Sequence, residues 1–76
     1  MGLHYQLGLI FAEKHLFEVA VDHFQKAHQN GLERVDVESS LALALQNAGL
    51  LDRAEVSWRT TVNMAAEAAA PDLNVN

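Results

Sequence analysis

Displaced by 34 positions against itself, the 76-residue chain matches in residue size: Leu7 meets Leu41, Leu9 meets Leu43, Phe11 meets Leu45, Ala20 meets Ala54 and Phe24 meets Trp58. A fixed period of this length marks a chain built from copies of one supersecondary unit, each stacking on its neighbour. Small and large positions recur together. Gly8, Ala42, Ala20 and Ala54 let two helices approach closely, and Phe24 and Trp58 fill the space beside each crossing. On this reading, truncating Trp58 to Ala costs about 3–5 kcal/mol if the indole is buried.

Within each copy the apolar spacing is helical rather than alternating. The four stripes are Leu3, Leu7, Ile10, Phe11; Phe17, Ala20, Val21, Phe24, Ala27; Val37, Leu41, Ala44, Leu45, Ala48; and Leu51, Ala54, Trp58, Val62, Ala65. They predict helices over residues 3–14, 17–29, 36–48 and 51–69. The run from Leu41 to Leu45 alternates like a strand, but it sits inside a longer helical stretch with no β-branched cluster. Asn30-Gly31 and Asn47-Ala48-Gly49 are helix stops, because glycine enters the left-handed conformation without a Cβ clash. Pro71 ends the last helix. Glu18 and Asp22 open the second helix and Asp52 and Glu55 the fourth, where negative charge meets the positive end of the dipole; Lys14 and Lys26 fall near C-terminal ends. The expectation is one all-α domain over residues 1–70. It consists of two antiparallel helical hairpins (1–34 and 35–68, the last helix extended), followed by a tail over 71–76.

Composition narrows the function. Five Lys and Arg against ten Asp and Glu give a net charge of −5, and the cations are scattered singly, so no basic stripe exists to track a phosphate backbone. With no Cys there is no disulfide framework, no thiolate metal site and no Cys nucleophile, which favours a cytoplasmic setting. The apolar run near the start, Leu9-Ile10-Phe11-Ala12, is too short for a secretory signal, and Gln6 stands where a myristoylation pattern requires Ser or Thr. No segment approaches the roughly 20 apolar residues of a membrane span. The four His contain no His-x3-His pair, so no metal is expected. Ser39, Ser40 and Ser57 lack a glycine elbow and the acids form no distinct pair, so neither catalysis nor a cofactor is expected.

The two copies resemble the tetratricopeptide repeat family, whose signature is W-x2-L-G-x2-Y followed by A-x3-F. Leu7-Gly8, Phe11, Ala20, Phe24 and Ala27 carry the resemblance in the first copy, and Leu41, Ala42, Leu45, Ala54 and Trp58 in the second. His4 and Glu38 replace the Trp, and Leu32 and Ala66 the late Pro; Thr61 replaces the last Ala in the second copy. The segment from Asn47 to Ala54 is similar to the family's turn between helices. The resemblance implies a short α-solenoid in which the inner face of each first helix lines a groove that holds a peptide or a partner helix. A Lys, Asn and Arg clamp, which one subclass of the family uses to grip a terminal carboxylate, has no counterpart: Tyr5, Leu9 and Ser40 stand in the places it would need.

Helical geometry separates groove from core. At about 100° per residue, Leu9 points about 160° away from Leu7 and Phe11, which leaves it outside the hairpin core, and Leu43 repeats the placement. Tyr5, Ala12 and Glu13 flank Leu9; Ser39, Gln46 and Asn47 flank Leu43. Of these, the seven residues Tyr5, Leu9, Glu13, Ser39, Leu43, Gln46 and Asn47 form the expected contact surface for a protein partner. The competing expectation is structural. Two copies are fewer than a stable solenoid usually has, so Leu9, Leu43, Val56, Val62 and the stretch from Ala65 to Ala70 are free to pack against a second copy, giving a homodimer, or against further repeats of a longer array. His4 is expected at the hairpin seam, His15 in the turn, and His23 and His28 at the surface or rim.

Overall fold

The computed structural model describes residues 2–31 and 35–69, in which four helices follow one another: α1 (Leu3–Glu13), α2 (Phe17–Gln29), α3 (Val35–Asn47) and α4 (Leu51–Ala69). α1 packs on α2 and α3 on α4, while α2 lies against α3 and α1 touches α3. The described residues therefore form two stacked helical hairpins. The first and third helices end one residue before the positions expected from spacing, and the third begins one residue earlier. The hairpin boundary at 34, Leu32, Ala70 and the expected tail over 71–76 lie outside the described residues.

Both hairpins turn in the same way. The Leu16 N–H donates to the Phe11 carbonyl at 2.9 Å and the His15 N–H to the Ala12 carbonyl at 2.9 Å; Leu50 to Leu45 at 2.9 Å and Gly49 to Gln46 at 3.0 Å repeat the pattern. This double closure satisfies carbonyls that the helix leaves open, and it needs one left-handed residue at its corner. Gly49 supplies it with φ of 83° and His15 with φ of 64°.

The core joins both hairpins: Ala20, Val21, Phe24, Leu41, Ala44, Leu45 and Ala54 bury together. Gly8 has a steric cause. A Cβ at that position would lie 2.5 Å from Cε1 of Phe24, so the ring occupies the space a side chain would take. Ala42, its counterpart in the second hairpin, is fully buried.

Several residues of the apolar stripes are exposed, namely Leu3 and Ile10 on α1 and Leu51 and Val62 on α4. They sit on the two ends of the stack, where the described residues supply no further helix. Trp58 is only half-buried for the same reason, and its indole N–H donates to Oε1 of Gln46 at 3.1 Å. Inside α4 the buried stripe is Ala54, Ser57 and Thr61, with the Thr61 hydroxyl donating to the Ser57 carbonyl at 2.8 Å. His23 is half-buried: it stacks between His4 and Phe11, with centroids 5.4 Å away on each side, and its Nδ1 lies 3.2 Å from Nδ1 of His4. His28 bridges the hairpins, its Nδ1 3.4 Å from the buried Glu38 carboxylate. Among the described residues no helix is long and apolar enough to cross a membrane.

Candidate functional site

Leu9 and Leu43 hold equivalent places on α1 and α3, one shift of 34 apart, and keep 43% and 50% of their surface exposed. Both face one open cleft of about 600 Å³, within the size range of ligand pockets. Leu9, Ala12 and Glu13 line it from α1; Ser40, Leu43 and Asn47 line it from α3. The buried Phe24 and Ala44 also line it, and so do His15 and Phe17 beside the first turn, their rings 5.4 Å apart.

The left-handed corner explains the position of His15. The sharp reversal after α1 brings the start of α2 back beneath the end of α1, so His15 and Phe17 reach the same cleft as Leu9. Phe17 stands seven residues before Phe24, two helical turns, and so shares its face of α2. Among the lining residues there is no Lys or Arg, and Glu13 carries the only carboxylate. The cleft is thus an apolar trough with an anionic edge at Glu13, its other polar groups being the His15 ring, Ser40 and Asn47. Among the described residues no three His, Asp or Glu side chains gather closely enough to hold a metal ion.

Comparison with protein-family models, curated proteins and solved structures returned no match.

Of the seven residues expected at the contact surface, the structure brings Leu9, Glu13, Leu43 and Asn47 to the cleft and takes three elsewhere. Tyr5 packs its ring against Phe24, with centroids 5.8 Å apart and planes at 50°, and is half-buried over the core. The Ser39 hydroxyl donates to the Asp36 carbonyl at 3.1 Å, one turn back along its own helix. Gln46 accepts the Trp58 indole N–H, which directs its amide towards α4. Ser40 takes the place expected for Ser39, since one residue rotates a side chain by about 100° and the α1–α3 approach decides which neighbour faces inward. His15 and Phe17 line the cleft without being among the expected residues, and the sequence places Ser40 on this face only as standing in a clamp position. The seven-residue spacing of Phe17 and Phe24 was a usable signal for one of them; His15 had none, because its place depends on the turn.

Proposed function

We propose that the protein is a non-enzymatic interaction module that holds a peptide segment or partner helix in the cleft between α1 and α3, in the manner of a tetratricopeptide repeat. The observation that carries this reading is the pair of half-exposed leucines, Leu9 and Leu43, repeated at one period and converging on a single trough. Exposed leucines scattered singly need no explanation, whereas two at equivalent places around one concavity constitute a surface for apolar burial. Supporting it are the absence of Lys and Arg from the lining, the Glu13 carboxylate and the net charge of −5. Together they favour a neutral or basic segment with one or two apolar anchors, and attraction to a basic partner weakens as salt rises. A cysteine-free chain of this kind suits the cytoplasm.

The test is selection of peptides from a displayed library on the wild-type chain, followed by titration of the selected peptides into Leu9→Glu, Leu43→Glu and the double variant. Apolar peptides carrying Lys or Arg should be recovered. The double variant should lose their binding while keeping its helical signal and melting within a few degrees of wild type. Selected peptides that bind the folded double variant as well as wild type would refute the reading, and so would its unfolding, which would place both leucines in the core.

A further inference from the structure

The 34-residue shift that relates the hairpins also relates their outer faces. Val37 on α3 is 0% exposed and Ala44 is 2%, both inside the stack; their counterparts on α1, Leu3 and Ile10, are 64% and 47% exposed. At the other end, Val21 and Phe24 of α2 are buried where α3 lies against that helix. Their counterparts on α4 are Glu55 and Trp58, flanked by the exposed Leu51 and Val62, and among the described helices α4 touches only α3. The chain thus makes the α2–α3 contact once internally and leaves an equivalent of each half of it on its two ends.

We propose that a second copy of this chain stacks head to tail on the first, its α1 face (Leu3, Leu7, Ile10) on the α4 face (Leu51, Trp58, Val62), continuing the contact between α2 and α3. The two faces are different, so the contact is heterologous and copies add in one direction instead of closing as a pair. The same shift sets Leu9 of the added copy after Leu43 of the first, which lengthens the cleft wall. Besides the loss of the His28–Glu38 pair, whose places Val62 and His4 take, two replacements weaken this contact relative to the internal one. Ile10 stands where Ala44 is and holds the helices farther apart, and Glu55, ion-paired to Arg59 at 3.1 Å, stands where Val21 is. The stack therefore dissociates on dilution. Among the α1 residues named there is no charge to oppose Glu55.

The test is sedimentation velocity and light scattering on the full chain from micromolar to millimolar concentration. Wild type should rise in mean mass with concentration and pass the mass of a dimer. Ile10→Glu and Val62→Glu, each at an exposed position, should keep their helical signal and each remain monomeric alone. An equimolar mixture of the two leaves one intact face on each partner, so it should form a dimer and stop there. If either glutamate variant loses its helical signal, Leu3→Gln and Leu51→Gln serve for the same mixing experiment. A wild type that stays monomeric throughout overturns the proposal. So does a dimer that survives Ile10→Glu but not Val62→Glu, which would mean that α4 meets α4, or a mixture that stays monomeric.

Discussion

At Gly8 a missing side chain fixes how closely two helices approach. Because a Cβ there would stand 2.5 Å from the Phe24 ring, Gly8→Ala forces that buried ring off its place. Overpacking of this kind costs about 1–3 kcal/mol, in spite of the higher helix propensity of Ala, and thermal denaturation should show a drop of about 4–8 °C per kcal/mol for a domain of this size. Phe24 and Trp58 match in sequence but not in energy. Phe24→Ala opens the centre of the core and should cost about 3–5 kcal/mol. Trp58 is half-buried, so Trp58→Ala should cost only about 1–2 kcal/mol, part of it from the lost hydrogen bond to Gln46. Urea titration of the two variants gives the ordering directly; equal losses would mean that α4 is covered as fully as α2. The partnership of Gly8 with Phe24 was legible from the small-large pattern. The half-burial of Trp58 was not, since it depends on what lies beyond α4.

The repeated turns are the clearest case at the scale of the element. Asn47-Ala48-Gly49 announced its stop, and the structure gives Gly49 the left-handed corner that only glycine adopts without strain. Gly49→Ala should therefore cost about 1–2 kcal/mol, read from the shift in the urea midpoint, even though no atom lies within 4 Å of the added Cβ. An unchanged midpoint would show that the turn relaxes to another geometry. His15 occupies the same corner with a side chain, and its ring rests against Phe17 at 5.4 Å in the wall of the cleft. Periodicity located all four helices to within a residue, because a stripe of period 3.6 must face a neighbour to be worth burying. The same stripes contain the exposed Leu3, Ile10, Leu51 and Val62, since a stripe does not reveal whether a neighbour is present.

At the scale of the whole, the same unit twice gives a short stack with one junction among the described residues, formed by α2, α3 and the His28–Glu38 pair. In such arrays stability is the sum of unit and junction contributions. With a single junction, the chain has little to lose before it unfolds as one, so ligand binding and self-stacking should each raise its melting temperature. The proposed head-to-tail contact and the proposed peptide cleft use different faces: Ile10 and Val62 lie on the ends, whereas Leu9 and Leu43 line the cleft.

The sequence by itself determined the helices, the turns, the pairing into hairpins and the surplus of Leu9 and Leu43, because each follows from spacing along one helix or from the shift between two copies. Only the tertiary structure decided which polar residues join those leucines. Ser40 displaced Ser39, Gln46 turned to Trp58, Tyr5 sank onto Phe24, and His15 and Phe17 entered the cleft. The reason is geometric: side-chain direction around a helix is fixed by its own period, but the edge of a cavity is set by the angle and distance at which helices meet. No single stripe encodes that distance, which here depends on a phenyl ring filling the place of an absent Cβ.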